Sequence, residues 1–281
     1  MIRRPRLRIP RIGLARPPIR RSIHHVPPLA HDFRNGVPGL LSPEGFDIAW
    51  TQYMTLMMEK LNALTAGTEY EQKEVKTIVL NTAREPAEAP IFNHASMAHN
   101  NHFFFKRLSP APVAMPESLR SALEESFSSV ETLRREFVVT ASAMFGPGFV
   151  WLVKLGARDA PGQANPFRLL TTYLAGSPYP GAHWRRQPVD RNSVAAGTPA
   201  AGPLSGTGAG AGVSAKAAAP GGIDVTPVLC LNTWEHVWLR DYGLGVGGYG
   251  GKRQFVEEWW KAIDWEGVAS DANITRPTYK R

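Results

Sequence analysis

Near the C-terminus the stretch LNTWEHVWLRDYG, Leu231 to Gly243, sets Asn232 four residues ahead of His236, with Glu235 beside the histidine and Trp234 and Trp238 around the pair. An oxygen donor and an imidazole at that spacing belong to metal chemistry, but the oxygen here comes from a neutral amide, which offsets none of an ion's charge. A second group, His94, His99 and His102, lies in PIFNHASMAHNNHFFFKRL. His99 and His102 stand three apart and share a face if the segment is helical. Affinity for a divalent ion is built from several donors held in fixed geometry, so neither group makes a site alone. The plain reading of these three histidines is packed or exposed side chains.

The elements that would position these residues divide into a helical half and a mixed half. SPEGFDIAWTQYMTLMMEKLN carries apolar residues at Phe46, Trp50, Tyr53, Met54, Met57, Met58 and Leu61, which is helical spacing. Ser42 offers an N-cap, with Pro43 at the first helical position. YEQKEVKTIVLNTA, the histidine-bearing segment, PESLRSALEESF and SSVETLRREFVVTASAMF read as further helices, opened respectively in the last two by Pro116 with Glu117 and by Ser129 as a weak cap. After Gly148 the pattern changes. Phe149–Leu155, Phe167–Leu174 and Thr226–Asn232 are short, apolar, rich in β-formers and bounded by Gly, Pro or Asn, as strands are. EHVWLRDYG and QFVEEWWKAID close the chain as helices. The expected class is α+β: a helical N-terminal unit (28–110), then a C-terminal unit (111–275) with a small sheet and flanking helices.

Composition narrows the function classes. A hydrophobic share of 43% with 8 Trp and 12 Phe suits a packed core. No run of 18 or more apolar residues offers a spanning helix. The single cysteine, Cys230, excludes an intrachain disulfide framework and fits a reducing compartment. The net charge of +8 is localised: eight arginines precede the first acid, Asp32, and the remaining 24 basic residues equal the 24 acidic ones. Residues 1–27 therefore read as a mitochondrial presequence or as a retained basic arm lying along RNA. Pro5, Pro10, Pro17 and Pro18 interrupt the amphipathic helix that a presequence usually offers. Residues 194–222 hold 21 Ala, Gly or Pro among 29 and one charge, Lys216. That composition reads as a disordered insertion between strands, and 276–281 as a tail.

In order along the chain, LNALTAGTEYE, FNHASMAHNNHFFFKRLSP, LRSALEESFSSVETLRREF, FGPGFVWLVKL, TPVLCLNTWEHVWLRDYG and WWKAIDWEGV resemble the iron/manganese superoxide dismutase family, from about Pro28 to about Asn273. The resemblance implies that family's N-terminal helical hairpin followed by a small three-stranded antiparallel sheet with flanking helices, which agrees with the reading above. It also implies a redox metal held by three imidazoles and one carboxylate, with one position open to a small anion. Carried over position by position, the first histidine falls at Ala49, the second at Asn101, the aspartate at Asn232, and the last histidine at His236. The supporting tyrosine of the first helix falls at Met57 and its neighbouring histidine at Tyr53. The glutamine that holds metal-bound solvent falls at Met97 or Phe145, depending on the branch of the family. A one-residue slip would bring His102 to the place of Asn101, but helix neighbours diverge by about 100°, and Ala49 and Asn232 would still stand where ligands are needed. The implied metal site is degenerate, so no cofactor and no enzymatic activity are expected.

In that family the glutamate of Trp-Glu-His reaches across a dimer to the other subunit's histidine, which makes Glu235, His236, Trp238 and Tyr53 candidate partner-interface residues. A basic leader, this fold and an emptied site together resemble the superoxide dismutase-like proteins of the mitochondrial small ribosomal subunit. What this resemblance implies is a structural role as a heterodimer with a paralogue, among other small-subunit proteins. Ribosomal RNA would be touched by the arm or by the basic runs at 183–186 and 251–253. The alternatives are an active mitochondrial superoxide dismutase with altered ligands, and a stand-alone mitochondrial binding protein.

Overall fold

The computed structural model describes residues 24–156, 166–182 and 224–274. The arm through residue 23, the run at 183–186, the Ala/Gly/Pro-rich segment 194–222 and the tail lie outside the described residues. Helix α1 (Pro43–Phe46) opens on Ser42, whose side chain accepts a hydrogen bond from the Gly45 amide. The helix then widens into a π-helical turn, Asp47–Gln52, before continuing as α2 (Tyr53–Thr65). Apolar spacing does not reveal such a one-residue widening, and the sequence reading took the whole segment as one regular helix. Helix α3 (Val75–Thr82) leads to the long α4 (Ala89–Phe105), which packs antiparallel to α2 as the second arm of the hairpin. Helices α5 (Glu117–Phe127) and α6 (Val130–Ala143) follow. The Ser129 side chain caps α6 by accepting from the Thr132 amide.

Strands β1 (Gly148–Leu155), β2 (Phe167–Tyr173) and β3 (Val225–Asn232) form one antiparallel sheet in the order β2-β1-β3. As the central strand, β1 is buried along nearly its whole length, which is why its sequence is continuously apolar rather than alternating. The β1–β3 register shifts between Leu152 and Val153, opposite Pro227. An edge strand at a bulge is where a proline, which has no amide to donate, can be accommodated. The chain ends in α7 (Glu235–Tyr242), α8 (Gly251–Lys261) and α9 (Trp265–Asp271). The helices expected from sequence end at Asp264, so α9, which opens on the Asp264 side chain accepting from the Gly267 amide, adds to them.

One apolar core joins the two halves, running from Phe33 through Met54, Phe105, Phe137 and Trp151 to Trp259 and Val268. Two polar contacts fix the corner that matters for the site. Asp241 on α7 accepts from the Ser42 amide at 2.8 Å and from its hydroxyl at 2.6 Å, and the Tyr242 hydroxyl donates to the Leu40 carbonyl at 2.7 Å. The start of the hairpin is thereby held against α7, and the end of β3 is aimed at the π-helical turn.

Candidate functional site, a degenerate metal centre

Ala49, Asn101 and Asn232 come from the π-helical turn, α4 and the end of β3, and all three are fully buried. They meet in a chain of neutral amides. The Asn232 side chain donates through Nδ2 to Asn101 Oδ1 at 3.0 Å, and Asn101 Nδ2 donates to the Ala49 carbonyl at 3.0 Å. Asn232 Oδ1 in turn accepts from the Trp234 amide at 2.9 Å. The two amides satisfy each other and the widened helical turn at once, which is what a buried polar group requires in place of water.

His236 lies at the first turn of α7, stacked face to face on Tyr53 with ring centroids 4.0 Å apart. Its Nε2 is buried and has no hydrogen-bond partner among the described residues. Burial alone lowers its pKa to about 4, so the ring is neutral at physiological pH. The same effect holds the Tyr53 phenol well above its usual range. Trp238 is buried beneath the corner and donates from Nε1 to the Thr233 carbonyl at 3.0 Å, so it builds the strand-to-helix turn.

The positions inherited from the metal chemistry thus supply one imidazole, two amides already committed to each other, and a methyl group. That set does not fit a divalent iron or manganese ion, which needs anionic or free neutral donors converging on one point. Met57 and Met97 are buried among apolar neighbours. Phe145 does not occupy the interior at all: its side chain is 98% exposed, because the chain turns outward at Gly146 with φ of 92°. Of the two positions proposed for the family's glutamine, only Met97 is inside.

The other histidines separate. His94 is half-buried and its Nδ1 lies 2.7 Å from the Pro90 carbonyl. His99 faces away from the amide chain, its Nε2 at 2.9 Å from the Tyr179 hydroxyl, and burial brings its pKa to about 3. His102 packs near Trp50, and burial lowers it to about 4. Among the described residues no group of three or more His, Cys, Asp and Glu side chains is arranged to hold a metal ion. Lys252 and Arg253, read from sequence as a possible RNA contact, are engaged within the chain. Lys252 Nζ donates to the Met144 carbonyl at 2.7 Å, and Arg253 pairs with Glu257 at 3.1 Å.

Sequence reasoning proposed four degenerate positions and did not foresee the bond between two of them. Two asparagines at neighbouring ligand positions are the available signal, since one amide offers the donor and the other the acceptor.

The model of iron/manganese superoxide dismutases, C-terminal domain, matches residues 115–167 and 213–271. Small ribosomal subunit protein mS43 of Schizosaccharomyces pombe is 32% identical over 253 residues, covering 87% of this chain and 82% of its own. Small ribosomal subunit protein mS42 of the same organism is 29% identical, covering 71% and 74%. An iron superoxide dismutase of Bacteroides fragilis is 24% identical, covering 83% and 92%. On the extent and identity of these matches, the chain belongs to the iron/manganese superoxide dismutase-like family, in company with small ribosomal subunit protein mS43.

Proposed function

We propose that this chain is a structural component of the mitochondrial small ribosomal subunit, and that it acts through protein contacts rather than catalysis. The observation that carries the reading is the buried amide chain Trp234–Asn232–Asn101–Ala49. In this reading it fills the place of the catalytic centre with neutral amides that already satisfy one another, leaving no charge and only the single imidazole of His236 for a redox ion. Its similarity to two different small-subunit proteins of one organism supports a paralogous superoxide dismutase-like chain as its partner.

Glu235, His236 and Tyr53 form the partner face in this reading, while Trp238, expected there from sequence, is buried and supports the turn from beneath. Partial exposure supports it: Tyr53, Glu235 and His236 are half-buried, and the Tyr53 and His236 rings stack on each other. A stacked, neutral imidazole beside the Glu235 carboxylate suits a contact closed by another chain. No helix among the described residues is long and apolar enough to cross a membrane. The working compartment is the mitochondrial matrix, with 1–27 serving as leader or arm.

Sedimentation of the tagged full chain from mitochondria tests the reading. It is expected to travel with the small subunit and to stay there at moderate salt. Recovery only in the soluble matrix fraction would overturn it.

A further inference from the structure

Helix α4 has a second functional-looking face. His99, His102 and Phe103 on it, with Lys106 at the helix end, line a cleft of about 370 Å³. Its other walls, among the described residues, come from the start of α3, Tyr179, the start of β3 and the end of α9. A volume of that order holds a small organic molecule. The cleft shares no residue with the amide chain or with the face formed by Glu235, His236 and Tyr53.

The cations of the cleft are held by rings. Lys76 Nζ sits 4.7 Å from the centroid of the Tyr179 ring, and Lys106 Nζ 4.1 Å from that of Phe103. Attraction to a ring face steadies an ammonium group without cancelling its charge. Lys76 makes no ion pair among the described residues. Lys106 reaches Asp271 at 3.2 Å, but that carboxylate is also bound by Arg107, whose Nη2 is nearer at 2.6 Å, so one negative charge answers two cations. His99 stands between the two rings, its centroid 5.4 Å from that of Tyr179 and 6.2 Å from that of Phe103, with Nε2 2.9 Å from the Tyr179 hydroxyl. The imidazoles of His99 and His102 are neutral and act there as hydrogen-bonding groups.

We propose that this cleft binds a phosphate monoester with a hydroxylated body, of the size of a pentose phosphate or a mononucleotide. Lys76 and Lys106 take the phosphate, which carries close to two negative charges at neutral pH. Glu74 and Asp271, which also line the cleft, accept hydrogen bonds from the hydroxyl groups. A single phosphate group is favoured over an RNA backbone, because the repeated phosphates of a polyanion would be brought against those two carboxylates. The assignment stands or falls apart from the ribosomal reading, since the two faces have no residue in common.

Isothermal titration calorimetry on the purified full chain tests it, with ribose-5-phosphate, adenosine monophosphate, inorganic phosphate and a short single-stranded oligoribonucleotide as probes. At least one of the two organic phosphates is expected to bind saturably at about 1 mM or below, and more tightly than inorganic phosphate. Lys76→Gln, at an exposed position of α3, is expected to weaken that binding by about tenfold, with the thermal midpoint of the chain unchanged. Lys73→Gln, three residues earlier and outside the cleft, should leave binding as it was. Absence of saturable binding by both organic phosphates overturns the assignment, as does binding that Lys76→Gln leaves undiminished or that Lys73→Gln weakens equally. Binding of inorganic phosphate alone would mark an adventitious ion only, and binding of the oligoribonucleotide alone an RNA contact; either result overturns it.

Discussion

The buried centre and the glycine-rich loop between α7 and α8, residues 243–250, invert the usual distribution of polarity. At the centre, Asn101 and Asn232 are polar, fully buried and satisfied by each other and by the backbone. In the loop, Leu244, Val246 and Tyr249 are apolar, almost wholly exposed and touched by little else. A dismutase concentrates its chemistry in the first region. Here the two amides are satisfied, His236 Nε2 stays without a hydrogen-bond partner among the described residues, and the large exposed apolar side chains lie outside, in the loop. The difference teaches that polar atoms at a former active site can become structure, while function is read from groups the chain leaves unsatisfied.

The largest break in this contrast should come from restoring the charge. Asn232→Asp buries a carboxylate beside Asn101 Oδ1, and neither amide orientation can satisfy the carboxylate and the Ala49 carbonyl together. A loss on the order of 3–5 kcal/mol is expected by urea unfolding at pH 7. Burial raises the folded-state pKa of that carboxyl above its unfolded value. Stability is therefore retained at low pH and lost as pH rises through the folded value, and the deficit should shrink between pH 7 and pH 5. A deficit independent of pH would mean that the carboxylate finds a partner.

Asn101→Ala leaves the Ala49 carbonyl and an Asn232 N–H unpaired, at about 2–4 kcal/mol for two orphaned buried groups. A loss below about 0.5 kcal/mol, within ordinary surface variation, would show the amide chain to be incidental.

Acid sensitivity sharpens the comparison further. His236, His99 and His102 have pKa values lowered to about 4, 3 and 4 by burial. The unfolded chain binds protons at these rings before the folded chain does, so stability present above about pH 6.5 declines as pH falls toward 4. His236→Gln and His99→Gln should each flatten the urea midpoint against pH between 6.5 and 4.5. An unchanged slope would place the proton uptake elsewhere. The smallest effect on stability belongs to the loop: Leu244→Ser/Val246→Ser/Tyr249→Ser should leave the free chain within about 0.5 kcal/mol, as measured by urea unfolding.

Much of the frame was legible from local rules. The ends of β1, β2 and β3 fall within one residue of the positions read from apolar runs bounded by Gly, Pro and Asn. Ser42, Pro116 and Ser129 sit at the helix starts they signalled. The site was legible only as a set of substitutions. The Asn101–Asn232 bond joins residues 131 apart in sequence, which no local pattern encodes. The π-helical turn at Ala49 preserves apolar spacing and so hides in it. Phe145 reads as core by its type, and only the turn at Gly146 puts it outside. GLGVGGYG carried a signal in its glycines separating large apolar residues, but what that loop does depends on a surface that local periodicity does not describe.

The most direct test of the central claim is metal content. The full chain, refolded separately with excess iron(II) and manganese(II), desalted and assayed by elemental analysis, is expected to retain far less than one ion per chain and to show no superoxide turnover. Retention of about one iron or manganese per chain, with dismutation of superoxide, would contradict the account.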